Sequence, residues 1–277
     1  MFTETAVNDK YDGIRGQQFK DLIYSVLDKS KMKKKYIDAL LSESSLKQYS
    51  IAFTSAEYSK TDNYEYYEQL GDISANTFIV WYFHRRFPSL NNNEGVSTVA
   101  RLRINYGSKA SFFPIADNLG FWPFISATMY EREKDRKDLL EDTFEAFLGC
   151  TQQLLDDMFV YGVGYAVIYD ILANIFDNKF PVVSLKYEDL YDAKTRLKEI
   201  FDYYVKIGQS LGTLVYKNTK TNVNGYNLNE TRVFQDYKGT MILLGVANAA
   251  LQPDSQQKAA QVAIDTLFKK NIYKKMI

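Results

Sequence analysis

The chain has 277 residues, 46% hydrophobic and 25% charged, enough for one large or two modest domains with a real core. No run approaches the roughly 18 apolar residues that a membrane span needs, and a single cysteine, Cys150, excludes an internal disulfide framework and suits a reducing compartment. The zero net charge hides an asymmetry: residues 191–277 carry 13 Lys and Arg against 7 Asp and Glu, leaving 21 against 27 for residues 1–190, which suggests two modules with different jobs.

In chain order, the N-terminal MFTETAVNDKYDG shows no apolar h-region, so no signal peptide and a cytoplasmic location are expected. From about Lys20 to Phe180 the pattern is mostly helical. FKDLIYSVLDKS, KKKYIDALLS, YYEQLGDISANTFIVWYFHRRF and DLLEDTFEAFLGCTQQLLDDMFVY all place apolar residues at helical spacing, with polar breaks such as SLNNNEG between them. NKFPVVSLKYEDLYDA, with Pro181, reads as a connector. DAKTRLKEIFDYYVKI then reads as an amphipathic helix, TLVYKN, TRVFQDY and TMILLGVANAA as strands with turn signals at NVNG and YKGT, and SQQKAAQVAIDTLFKK as a closing helix capped by Ser255. The expected organisation is a mainly α domain over residues 1–183 with an N-terminal helical extension, a linker at 184–190, and a small α+β module of α-β-β-β-α order over 191–277.

The chemistry concentrates in acids. On one helix Glu65, Glu68 and Asp72 stand at i, i+3 and i+7, a single face. In DLLEDTFEAFLGC, Asp142 and Glu145 stand at i, i+3 on a helix otherwise apolar enough to be largely buried. A solvated acidic face is the ordinary explanation of one such pair. Two aromatic-rich helices each presenting a pair could instead form a four-carboxylate cluster, whose hard oxygen ligands suit Mg²⁺ or Mn²⁺. Two-metal hydrolysis of phosphodiesters uses a cluster of that kind.

YEYYEQLGD, followed some 70 residues later by LLEDTFEAFLG, resembles the two signatures of the ribonuclease III family, which usually read like NERLEFLGD and ADTFEALIG. IAFTS at 51–55 resembles the family's ALTH-type segment, and VARLRINYGSKASFFPIADNLGFWPFI resembles the stretch between the signatures. The tail resembles a double-stranded-RNA-binding domain, with DAKTRLKEIF as its first helix and SQQKAAQVAI as its last. The resemblance covers roughly residues 15–270. It implies an endoribonuclease that cuts double-stranded RNA by a two-metal mechanism and leaves 5′-phosphate and 3′-hydroxyl ends. It implies Glu68, Asp72, Asp142 and Glu145 as ligands of Mg²⁺, with Glu145 bridging, and Glu65 as a further acid at the site. It also implies a homodimer, so that each strand of a duplex meets one cluster. The alternative is a non-catalytic member that sequesters duplex RNA or acts as a scaffold; such members typically lose one of the four acids, and this chain keeps all four. The Lys, Asn and Tyr richness suits an AT-rich genome such as that of a large DNA virus.

Two departures stand out. Gln69 replaces a Phe that in the family packs into a socket on the second subunit. Gln256 and Gln257 replace the Lys pair with which the family's last helix grips phosphates, so weaker RNA binding is expected, offset by Lys269, Lys270, Lys274 and Lys275. His84 and Cys150 read as structural residues. Arg85, Arg86 and the KMKKK run at 31–35 read as surface charge, and the tyrosines as packing, because duplex recognition works through shape and 2′-hydroxyls.

Overall fold

Helices of this length are held mainly by burial of one face rather than by propensity, and the apolar spacing of the first 180 residues provides such faces in quantity. The computed structural model describes residues 9–223 and 226–269 and divides into two units between Val183 and Ser184. Ahead of the first helix lies strand β1 (Lys10–Tyr11). Helices α1 (Gln17–Leu27), α2 (Lys34–Leu40), α3 (Glu43–Ala52), α4 (Glu65–Arg86), α5 (Gly95–Tyr106) and α6 (Lys109–Asn118) follow. Strand β2 (Ala127–Thr128) pairs antiparallel with β1. The unit closes with α7 (Met129–Lys134), α8 (Arg136–Met158) and α9 (Val163–Lys179). Its core is aromatic. Tyr49 stacks on Phe147 at 5.6 Å between ring centroids, Phe121 meets Phe53 at 4.9 Å and Phe147 at 5.8 Å, and Phe112 meets Phe144 at 5.6 Å. Burying each such side chain contributes about 1.5–3 kcal/mol.

The IAFTS segment ends α3 and docks next to α7. Thr128 caps α7 in a reciprocal capping box with Glu131, and the same Glu131 carboxylate accepts a 3.0 Å hydrogen bond from Ser55 Oγ.

The second unit has the order α10 (Tyr187–Leu190), α11 (Ala193–Lys206), β3 (Thr213–Val223), β4 (Tyr226–Tyr237), β5 (Thr240–Ala249) and α12 (Gln252–Lys269). The strands form one antiparallel sheet, β3-β4-β5. Residues 184–190, read from sequence as a linker, include the single turn of α10, whose Leu190 is buried. The YKGT signal is a two-residue hairpin in which Lys238 and Gly239 both take positive φ, 53° and 83°, the geometry that matches the twist of paired strands. The NVNG turn falls on Asn224 and Gly225, outside the described residues, as do Lys270, Lys274 and Lys275. Leu197, Ile200 and Phe201 of α11, Val233 and Leu244 of the sheet, and Ala260, Ala263, Ile264 and Leu267 of α12 form the core of this unit.

One expectation is corrected. Ser255 does not cap α12, which starts three residues earlier at Gln252. Ser255 is fully buried; its hydroxyl donates to the Gln252 carbonyl at 2.8 Å and lies 2.7 Å from Thr231 Oγ1. A hydroxyl inside the first turn bonds back to the chain as readily as a cap does, and sequence spacing does not separate the two.

Candidate active site

The two acid-bearing helices are α4 and α8, and they touch backbone to backbone. At Gly71 an added Cβ would stand 1.8 Å from the Glu145 carbonyl oxygen; at Gly149 it would stand 2.0 Å from the Tyr67 carbonyl oxygen. No side chain fits at either point. The crossing therefore needs a glycine on each helix, and it sets Glu68 and Asp72 on one side against Asp142 and Glu145 on the other.

Local structure makes the acids tolerable. Glu65 and Glu68 lie in the first turn of α4, where the unpaired N–H groups and the helix dipole favour negative charge. Tyr64, Tyr67, Phe78, Ile79, Tyr82 and Phe83 bury the remaining face of that helix. On α8, Leu139, Leu140, Phe144, Phe147 and Leu148 are buried. Glu145, on the same helix, is only 6% exposed.

The electrostatics follow from this placement. Burial, reinforced by the charges of Asp72, Glu141, Glu68 and Asp142, pushes the Glu145 carboxyl up to about 9. Burial and then Asp142, Glu65, Glu141 and Asp72 push Glu68 up to about 7. Burial raises Asp142 to about 6, against the downward pull of a hydrogen bond from Tyr64 and of the Lys109 ammonium. Each of these shifts marks a carboxylate that is charged only at a cost in its own surroundings. Glu65 is exposed and adds its field to Glu68.

Sequence reasoning placed the four acids and Glu65, and all five lie at this crossing. It missed Gly71 and Gly149, which in the sequence are only one glycine inside each helix, three residues after Glu68 and four after Glu145. It also missed three polar neighbours. Tyr64 Oη donates to Asp142 Oδ2 at 3.0 Å. Glu141 adds a further carboxylate to the same face of α8. Lys109 at the start of α6 donates to Asp138 Oδ1 at 2.5 Å and lies 3.4 Å from Glu141 Oε2.

Every donor at the crossing is a carboxylate oxygen, without His or Cys, the set that fits a hard divalent cation. Among the described residues, no group of three or more His, Cys, Asp or Glu side chains is already gathered closely enough to hold a metal ion.

His84 and Cys150 have the structural roles read from sequence, whereas Arg85 and Arg86, read as surface charge, are engaged with rings and carbonyls. His84 pairs with Asn91, and Cys150 is fully buried. Arg85 lies over the rings of Trp81 and Tyr169, at 5.2 and 4.9 Å. Arg86 donates to the carbonyls of Phe180 and Pro181 at 2.9 and 2.7 Å. None of these side chains joins the acids.

In the second unit the two departures from the phosphate-gripping pattern are tied down. Gln256 Oε1 accepts from Lys194 Nζ at 2.6 Å. Gln257 Nε2 donates to Asp192 Oδ1 at 3.0 Å, and its Oε1 accepts from the Lys194 backbone N–H at 3.1 Å. The amides fasten the start of α12 to the start of α11.

Fold and site thus define a mainly helical protein with a buried acidic crossing, followed by a separate unit of three antiparallel strands and flanking helices. The chain is 40% identical to a protein of Invertebrate iridescent virus 6 provisionally named ribonuclease 3, over 95% of this chain and 92% of that protein. It is 42% identical to a protein of Frog virus 3 with the same provisional name, over 85% of this chain and 59% of that one. It is 35% identical to ribonuclease 3 of Lactobacillus johnsonii over 45% of this chain. No family model matches. Among solved structures, the nuclease domain of ribonuclease III from Campylobacter jejuni is similar over 58% of this chain, at 22% identity and a TM-score of 0.44. The chain belongs to the ribonuclease III family of enzymes. No helix among the described residues is long and apolar enough to cross a membrane.

Proposed function

We propose that this chain is a metal-dependent endoribonuclease that hydrolyses phosphodiester bonds of double-stranded RNA, leaving 5′-phosphate and 3′-hydroxyl ends. The observation that carries this reading is the α4–α8 crossing, where backbone contact at Gly71 and Gly149 holds two pairs of acids within each other's field. Glu68, Asp72, Asp142 and Glu145 would hold Mg²⁺, or Mn²⁺ in its place, with Glu65 adding its charge beside Glu68. A pair of such ions, when bound, supplies an activated water and stabilises the leaving oxygen.

The chain's own part is to prepare that site. Burial and the neighbouring acids raise the Glu145 carboxyl, so cation loading that draws on its carboxylate would be coupled to proton release. A hydrogen bond from Tyr64 holds Asp142, and the first turn of α4 favours negative charge at Glu68. A protein that merely sequestered duplex RNA would gain nothing from four mutually repelling, half-buried acids.

The second unit, ordered α11-β3-β4-β5-α12, is read as a double-stranded-RNA-binding module that recognises duplex shape. With Gln256 and Gln257 engaged on α11 rather than charged, its grip on phosphates is reduced.

The chain is also read as a homodimer. Tyr66 and Ile73 are 62% and 59% exposed and share one face of α4 with exposed Gln69. A pocket of about 360 Å³ lies close by, lined by Ser44, Gln48, Tyr67, Gln153 and Asp157. Within it the buried Gln153 Oε1 has no hydrogen-bond partner among the described residues. A polar socket of this kind suits Gln69 of a second copy where the family uses an aromatic plug.

Incubation with a long end-labelled RNA duplex tests the reading. Short duplex products with 5′-phosphates are expected in Mg²⁺ and none in EDTA, with single-stranded RNA of the same sequence spared. Undiminished cleavage in EDTA refutes the metal reading.

A further inference from the structure

The family's first signature begins with Asn where this chain has Tyr64, and the structure gives that tyrosine a task at the acids. Tyr64 is 8% exposed and stands at the N-cap of α4. Its backbone is fixed from both directions: its N–H donates to the Thr54 carbonyl at 2.9 Å, and its carbonyl accepts from the Glu68 N–H at 2.9 Å. The ring therefore has little freedom, and its hydroxyl donates to Asp142 Oδ2 across the α4–α8 gap at 3.0 Å. Asp142 Oδ1 takes no hydrogen bond among the described residues, which leaves that oxygen turned to other use.

We propose that Tyr64 is a positioning residue, a buried phenol that clamps one oxygen of Asp142 so that the other is presented to a divalent cation. This rests on the metal-dependent reading above. A donor fixed behind a ligating carboxylate selects one side-chain orientation before the ion arrives. The ion then meets a ligand whose rotational freedom is already spent, and affinity rises without a further ligand. The clamp joins the helices as well as the ligand, because the donor belongs to α4 and the acceptor to α8. A short polar residue at this position has less reach across the gap; tyrosine spans it, and its ring fills part of it.

The test uses the full chain and its Tyr64→Phe variant, which keeps the ring and removes the hydroxyl. Mn²⁺ binding is followed by the electron paramagnetic resonance signal of the free ion, without RNA. In parallel, the Mg²⁺ concentration giving half-maximal cleavage and the duplex affinity in EDTA are measured. The variant should bind Mn²⁺ about 10-fold or more weakly and need correspondingly more Mg²⁺, with near wild-type cleavage at saturating Mg²⁺ and unchanged duplex affinity. Tyr82→Phe is the control. It removes a phenol of the same helix that donates to Asp177 at 2.7 Å, and it should leave Mn²⁺ affinity unchanged. Equal Mn²⁺ affinity in Tyr64→Phe and wild type, with or without a loss of thermal stability, overturns the role given to Tyr64. A wild-type chain that binds no Mn²⁺ and cuts no duplex overturns the metal reading itself, and this inference with it.

Discussion

Replacing Gly71 by alanine probes the geometry on which the site depends. The added methyl would sit 1.8 Å from the Glu145 carbonyl oxygen, so the two helices must part by roughly 2 Å to restore ordinary van der Waals contact. Overpacking of this kind costs about 1–3 kcal/mol. For a domain of this size, 2 kcal/mol lowers the midpoint of thermal unfolding by roughly 4–8 °C. The catalytic cost should be larger than the stability cost. Glu68 and Asp72 flank Gly71 on α4, while Glu145 is the residue pushed away, so the two halves of the cluster separate. A misplacement near 1 Å is enough for a loss of roughly 100-fold. Calorimetry gives the midpoint, and cleavage of labelled duplex well below that midpoint, where the variant is fully folded, gives the rate. Gly149→Ala meets the same gap from the other helix, 2.0 Å from the Tyr67 carbonyl. Once the helices have parted for one methyl, the second costs less, so the double variant should lose less stability than the two single losses added together. Wild-type stability and rate in Gly71→Ala would refute the reasoning.

Three further outcomes are expected. Glu145, Glu68 and Asp142 have folded-state values of about 9, 7 and 6, above the ordinary carboxylate range. The folded protein thus keeps protons that the unfolded chain has lost, and without metal its stability should fall as pH rises from about 4 to 9. Midpoints in EDTA at pH 5, 7 and 9 test this; Glu145→Gln should flatten the fall, and a slope equal in variant and wild type counts against it. Restoring charge with Gln256→Lys and Gln257→Lys should steepen the dependence of duplex binding on salt by up to about two phosphate contacts, and an unchanged slope would remove this helix start from the RNA surface. The protein should sediment as a dimer at micromolar concentration. Gln69→Phe should weaken that dimer roughly tenfold or more if it leaves the Gln153 carbonyl unpaired; a strict monomer that still cuts both strands with a short stagger would show the two-fold argument to be wrong.

The acids were legible because carboxylates at i, i+3 and i+4 within apolar helices break a pattern that is otherwise easy to read. The helices carrying them were legible for the same reason: Leu139, Phe144 and Phe147 recur at helical spacing and are buried. Gly71 and Gly149 were not legible, since a mid-helix glycine reads only as a weak point until the partner helix is in place. The Tyr64 hydroxyl was not legible either, because a bond across 78 residues of chain leaves no local trace. Ser255 was misread because Ser before a helical run signals a cap, whereas its burial against Thr231 depends on the sheet. Strands β1 and β2 are two residues each, too short for an alternating pattern. Gln256 and Gln257 were recognised as missing charges, but their attachment to Asp192 and Lys194 required the packing of α11 on α12.

The central claim is that the charge of Glu145, at the centre of the α4–α8 crossing, carries cleavage of duplex RNA. The direct measurement is the single-turnover rate of Glu145→Gln at saturating Mg²⁺, with duplex affinity measured on the same protein. Glutamine keeps the shape of the buried side chain and removes its charge. The expected result is a loss of about 10³-fold or more, some 4 kcal/mol of barrier, with duplex affinity retained; a variant that keeps a tenth of the wild-type rate would contradict the account.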